Sequence, residues 1–158
     1  QSVRSLAQAR SLAHDLFAVS ATPEGLGEAL ENMAERVNAD RRIACGFLGE
    51  KTVSVKNQAA ASHHYNIAQE AMHNALKHSQ ATRIEIELSR VSAGLELRVR
   101  DNGIGFSPKP AKRGLGLRTM EQRARLIGGR LNVIPHPDGG TEVLCSVSRA
   151  VVERVQAG

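Results

Sequence analysis

The sequence predicts an α+β fold, a two-layer α/β sandwich in which a mixed sheet packs on helices. Three observations predict it. Strand-like runs alternate with period two and helix-like runs repeat at about 3.6 residues, and the two kinds mix without strict βαβ alternation. The 158 residues suit one domain with a modest core. At 41% hydrophobic, with no internal repeat and no low-complexity tract, the chain should be globular rather than disordered.

The elements follow in order. Val3, Leu6, Ala9, Leu12 or Ala13, and Leu16 have helical spacing over residues 1–19. Thr22 as N-cap, Pro23 at the first helical position and Glu24 in the first turn then start a second helix. Its apolar stripe is Leu26, Ala29, Leu30, Met33, Ala34 and Val37. Residues 42–48 read as a strand that Gly49-Glu50 turns into a second strand, Thr52 to Val55. A long helix runs from about Ala60 to His78, with Tyr65, Ala68, Met72, Ala75 and Leu76 as its apolar stripe. His63 and His64 are expected at the surface where this helix starts, and His136 in a loop. Strands at 82–90 and 95–101 flank a turn near Ala93-Gly94. A helix follows over about 115–127, ended by Gly128-Gly129. The last strands, 130–134 and 141–148, are joined by Pro135-His136-Pro137-Asp138-Gly139-Gly140.

Composition narrows the function classes. Aromatics are 3% and Trp is absent, which argues against a stacking platform for single-stranded nucleic acid. The formal net charge is +5 and the pI is about 9.8, so a polyanion such as nucleotide phosphate suits the surface. Cys45 and Cys145 lack CxxC spacing, so neither a zinc site nor a redox motif is predicted, and free thiols in strands fit a reducing compartment. No apolar run reaches the roughly 18 residues of a membrane span, and no signal peptide opens the chain. Gln1 falls inside a helical pattern, so a longer parent protein is expected.

Four stretches carry chemistry. In VRDNGIGF, Leu95, Leu97 and Val99 share one strand face, and Asp101 falls in the same phase. A core-facing carboxylate needs donors. Gly103 and Gly105 let backbone approach a flat ligand. An aspartate capping its own turn is the plainer reading. Thr141 likewise shares phase with Val143, Cys145 and Val147. Two inward polar groups at strand ends suit a buried polar ligand such as a purine edge, with Asp101 accepting from the exocyclic amine of adenine. On the helix, Glu70, Asn74, Lys77 and His78 lie at i, i+4, i+7 and i+8. They read either as a solvated face or as a site for metal-bound phosphate, because Mg²⁺ needs few protein oxygens when phosphate supplies the rest. Finally, Lys112-Arg113-Gly114-Leu115-Gly116-Leu117 opens a helix, where free N–H groups bind anions.

In this order, QEAMHNALKH, DNGIGF, RGLGL and GGT resemble the four boxes of the ATP-binding domain of sensor histidine kinases, in the wider group of gyrase, Hsp90 and MutL. The resemblance covers about residues 24–149. Asn74 followed by Lys77-His78 is similar to the kinase version, since gyrase and MutL relatives usually place an aspartate soon after the asparagine. It implies a Bergerat-type ATP-binding fold that takes ATP and Mg²⁺. Asn74 would hold the metal, and Glu70 would orient water or assist phosphoryl transfer. Lys77 and His78 would meet phosphates, while Asp101 and Thr141 would read adenine. Gly103, Ile104 and Gly105 would shape the pocket; Gly114, Leu115, Gly116 and Leu117 would form the lid hinge and phosphate cradle.

The resemblance also has departures. No phenylalanine-rich box separates the glycine boxes, and the lid spans only Ser107 to Arg113. That short lid is similar to the subfamily of nitrate- and temperature-sensing kinases, which phosphorylate helix-turn-helix response regulators. The Arg-rich acceptor segment of that subfamily is missing. His14 is set aside as acceptor, because residues 7–30 resemble the end of the second dimerisation helix and its join to the ATP domain. The implied organisation is 1–20 as the end of a dimerisation helix or connector, 21–150 as the catalytic domain and 151–158 as a tail. The implied function is transfer of the γ-phosphoryl of ATP to a histidine on a dimerisation helix absent here, then relay to a response regulator. The isolated chain is not expected to autophosphorylate. The parent is expected to be a homodimer acting in the cytoplasm without direct nucleic-acid contact, with a membrane anchor left open. Two alternatives stand beside this reading: a serine kinase resembling anti-sigma factors, and a basic nucleic-acid-binding module.

Overall fold

A computed structural model describes residues 25–40, 42–49, 55, 58–78, 80–104 and 115–149, without the side chains of His78 and Leu115. Helix α1 (Leu26–Ala39) is followed by β1 (Ala44–Gly49), α2 (Gln58–His78), β2 (Arg83–Val91) and β3 (Gly94–Asp101). Then come α3 (Leu115–Leu126), β4 (Gly129–Pro135) and β5 (Thr141–Ser148). The strands form one sheet in the order β1-β2-β3-β5-β4. All pairs are antiparallel except β1 with β2, which are parallel.

Alternation dictates what the sheet buries. Ile84, Ile86 and Leu88 of β2, Leu95, Leu97 and Val99 of β3, and Cys145 and Val147 of β5 point to one side. Leu26, Leu30 and Met33 of α1, Tyr65, Ala68 and Met72 of α2, and Leu117, Met120 and Ala124 of α3 meet them in one core. Each large side chain so buried contributes about 1.5–3 kcal/mol. The register sorts this face into rows. One row reads Phe47, Ile86, Val99, Val143, Val133, wholly apolar. The row beside it reads Cys45, Ile84, Asp101, Thr141, Pro135, so two polar groups close the apolar face at one end. The opposite face carries charge, including an Arg98–Glu96 ion pair at 3.2 Å.

Several sequence expectations are corrected. β1 pairs in parallel with β2, with Ala44 opposite Arg83, a pairing the sequence reading did not foresee. Val55 lies outside any strand, and the rest of the expected strand, 52–54, lies outside the described residues. Leu76 is exposed rather than in the stripe of α2. Its place is taken by Ala61, Ile67 and Ala71. His64 is buried, since it lies four residues before Ala68 and eight before Met72 on the same helical stripe. The expected Thr22 and Pro23 start of α1, the helix over 1–19 and the lid 107–113 lie outside the described residues. Gly25 precedes α1 without any side-chain cap.

Candidate functional site

The polar end of the inner face is built by three turns that lock together. Asp101 ends β3 and is buried, with Thr141 directly opposite it at the start of β5. Its Oδ1 accepts the Gly103 N–H at 2.9 Å, so the aspartate does cap its own turn. Asn102 ties that turn to β2. Its Oδ1 accepts the N–H groups of Thr82 and Arg83, both at 2.9 Å, and its Nδ2 donates to Thr82 Oγ1 at 2.9 Å. Sequence reasoning gave Asn102 no role, although an amide between a strand end and a glycine is a signal for turn-stapling.

The β4–β5 connection presses on the same turn. Gly140 has φ +96°, a conformation side chains rarely adopt, and a Cβ there would strike the Asp101 carbonyl oxygen. Only a glycine lets the two backbones approach so closely. Thr141 follows it, buried, and its Oγ1 has no hydrogen-bond partner. Buried hydroxyls are normally paired, so this one is free to pair with a polar group of a ligand.

Helix α2 reaches the same end of the sheet. Four residues, 79–82, separate it from β2, whose Ile84 is the partner of Asp101. Glu70 and Asn74 are half-buried on adjacent turns, and Lys77 is exposed. His78 closes the helix. α3 packs antiparallel to α2: Gly116 touches Glu70, and Arg123 Nη1 lies 3.4 Å from His63 Nδ1. A Cβ on Gly116 would collide with Glu70 Oε1, so this glycine is what lets the start of α3 rest against the carboxylate. Leu117 is buried beside it, and Ile104 is exposed. Gly105 and Gly114 lie outside the described residues. The structure therefore gathers Asp101, Gly103 and Thr141 at one turn cluster, and Glu70 with Gly116 at the α2–α3 seam.

Among the described residues, two histidines and two cysteines have displaced pKa values. His64 donates through Nδ1–H to the Ala60 carbonyl at 2.7 Å, and its Nε2 is buried without a partner. Burial lowers its pKa, against the hydrogen bond to Ala60, and nearby His63 lowers it further. His63 is lowered by burial and by Arg123. Burial pushes the Cys45 and Cys145 thiols up to about 11, which makes both inert.

The model of the histidine kinase-, DNA gyrase B- and HSP90-like ATPases matches residues 59–150. The chain belongs to this ATPase family. Within it, the chain is 29% identical over 135 residues to the sensor protein VraS of Staphylococcus saprophyticus. The VraS protein of Staphylococcus aureus is 28% identical over 135 residues. These matches cover 85% of this chain and 38% of the relatives, so the chain spans well under half their length. Among solved structures, the histidine kinase domain of the Erythrobacter litoralis EL346 blue-light activated histidine kinase superposes with TM-score 0.72 at 24% identity, covering 96% of this chain and 85% of that one. The ATP-binding domain of PrrB from Mycobacterium tuberculosis gives TM-score 0.58 at 23% identity, covering 75% and 93%. The fold is therefore that of this ATPase family, the α+β sandwich expected from the sequence.

Proposed function

We propose that this chain is the ATP-binding catalytic part of a two-component sensor histidine kinase. It presents the γ-phosphoryl group of ATP to a histidine on a separate dimerisation helix, for relay to a response regulator of the helix-turn-helix kind. The observation that carries the nucleotide site is the unpartnered Thr141 hydroxyl directly opposite the buried Asp101. An adenine edge offers a donor to the carboxylate and an acceptor to the hydroxyl, which matches the two groups. Gly103, Ile104 and Gly105 border the base. Asn74 fits Mg²⁺, a hard cation content with one protein oxygen when phosphates complete its shell. Mg²⁺ supplies charge neutralisation for the phosphates when bound. Lys77, His78 and the helix start at Gly114, Leu115, Gly116 and Leu117 offer cationic and N–H donors to phosphate oxygens.

The chain's own task is then mainly positioning, which can remove about 7–11 kcal/mol from such a barrier. Glu70, which rests against Gly116, would orient water or help the phosphoryl transfer. In this reading the parent is a homodimer acting in the cytoplasm. Two measurements test the reading. Calorimetry with ATP or ADP and Mg²⁺ should show binding that Asp101→Asn weakens about tenfold or more, as expected for a lost buried acceptor. Equal affinity in the two proteins would refute the base site. With γ-labelled ATP, the chain alone should remain unlabelled and should label a supplied dimerisation helix carrying a histidine. Acid-labile label on the chain alone, lost in His14→Gln, would place the acceptor within this chain instead.

A further inference from the structure

Asn102 stands between the two halves of the proposed site, the turn at Asp101–Gly103 and the chain that leaves α2 after Asn74, Lys77 and His78. Its own N–H donates to the Arg83 carbonyl at 3.2 Å, which carries the β2–β3 ladder one step past Asp101. Its side chain reaches further, onto the connection between α2 and β2. Oδ1 accepts the Thr82 and Arg83 N–H groups and Nδ2 donates to Thr82 Oγ1, each at 2.9 Å. The Thr82 carbonyl accepts the Ala44 N–H at 2.9 Å. All four backbone polar groups of Thr82 and Arg83 are thus engaged, three of them by Asn102. Two residues upstream, Gln80 has φ +54°, and among the described residues it is the only non-glycine with a positive φ. A residue keeps that conformation only where its surroundings hold it. The connection that Asn102 grips is therefore strained at its start and pinned at its end.

We propose that Asn102 is a positioning residue for the nucleotide, holding the base turn and the phosphate-facing end of α2 in one fixed relation through Thr82 and Arg83. This rests on the roles given above to Asp101 at the base and to Asn74, Lys77 and His78 at the phosphates. Base and phosphates belong to one ligand, so both ends are bound together only while the two anchoring segments keep their spacing. A misplacement of about 1 Å is enough to matter. The amide suits the task because it offers an acceptor to two N–H groups and a donor to a hydroxyl at once, and a carboxylate has no donor to give. Asn102 itself touches no part of the ligand in this scheme. It acts through the turn on one side and through the Thr82–Arg83 backbone on the other.

The test titrates the full chain with adenosine, which has no phosphate, and with ADP and Mg²⁺, following backbone amide signals and affinity. In wild type, adenosine should shift the amide signal of Gly103 and, through Asn102, those of Lys77, Gln80 and Thr82. In Asn102→Ala the Gly103 shift should remain and the others should vanish. The advantage of ADP with Mg²⁺ over adenosine should shrink about fivefold or more in that variant. Should the alanine variant not fold, Asn102→Ser takes its place, a residue common in turns whose side chain is too short to span both N–H groups. An equal loss of affinity for both ligands would make Asn102 a support of the base turn alone and would overturn the proposal. So would amide shifts at Lys77, Gln80 and Thr82 that persist in the variant or are absent from wild type. Asp101→Asn separates the two levels. If it weakens adenosine binding while wild type shows no transmitted shift, only the role of Asn102 fails. If it binds adenosine as wild type does, the base site and the inference fail together.

Discussion

Thr141 carries a hydroxyl that folding buries and leaves unpaired. An unsatisfied buried polar atom costs about 1–3 kcal/mol, a cost that a ligand able to pair it would offset. Replacing it with an apolar residue of the same shape should therefore separate stability from binding. Thr141→Val should melt at the same temperature as wild type or higher, because about 1 kcal/mol of desolvation is relieved. Its affinity for adenine nucleotide should fall about fivefold or more. Thermal melting and nucleotide titration on the same preparation check both halves. A variant that is less stable and binds equally would mean the hydroxyl serves the fold. The residue was legible in the sequence because strand phase alone places Thr141 on the core side. Asn102 was not legible, since its partners Thr82 and Arg83 are distant in sequence and only the sheet register brings them near.

Helix α2 shows where element-level reading succeeds and where it slips. Its span was legible from apolar spacing, but the centre of the buried stripe was placed one position aside, which put Leu76 inside and His64 outside. A stripe of alanines with few large side chains leaves the rotation of the helix weakly determined, and packing against α1 and α3 decides it. The buried His64 has a consequence for acid stability. Its folded pKa lies below the ordinary 6.5, so the unfolded chain takes up the proton first. Above that value both states are neutral and the group is silent. As pH drops below about 6.5, stability should fall, by up to about 1.4 kcal/mol per pH unit. Denaturant melts from neutral pH to about pH 5 should show a shallower loss in His64→Leu than in wild type; equal slopes would show that other groups govern the acid limb. At the seam with α3, the new methyl of Gly116→Ala would meet the far end of the Glu70 side chain, which can swing aside, so the melting temperature should change little. Labelling of a supplied acceptor helix should fall, because the carboxylate is displaced. An alanine variant with wild-type transfer would show that the position of Glu70 is unimportant.

For the whole molecule, the fold class was legible and the sheet order was not. The antiparallel pairs β2–β3 and β4–β5 are joined by short turns, so sequence neighbours become spatial neighbours. β1 reaches β2 only after the chain has crossed through α2, and no local spacing reports a pairing of that kind. β5 lying between β3 and β4 is equally non-local, yet it is what sets Thr141 opposite Asp101. The ligand site thus depends on the long-range topology while its residues are readable one at a time. Because the proposed base site is shared among β3, β5 and the β4–β5 loop, a nucleotide should stabilise the chain as a unit. At about a hundredfold excess over the dissociation constant, ADP and Mg²⁺ should contribute about 2.7 kcal/mol and raise the melting temperature by roughly 5–10 °C. Removing Mg²⁺ with a chelator should reduce the shift. A melt indifferent to nucleotide would contradict the site.

The Asn102-Gly103 step brings ageing into the account. Asparagine before glycine is the sequence most prone to lose its side-chain amide, because the next backbone nitrogen, unhindered by a side chain, attacks the amide carbonyl. Here that nitrogen is engaged, its N–H given to Asp101 Oδ1, and the amide is pinned by Thr82 and Arg83. The hydrogen bonds that shape the turn thus also hold the reacting atoms out of line. Time spent unfolded would convert Asn102 to an acid, replacing the donor to Thr82 Oγ1 with a negative charge beside the Asp101–Gly103 turn. The damage would be chemical and would persist after refolding.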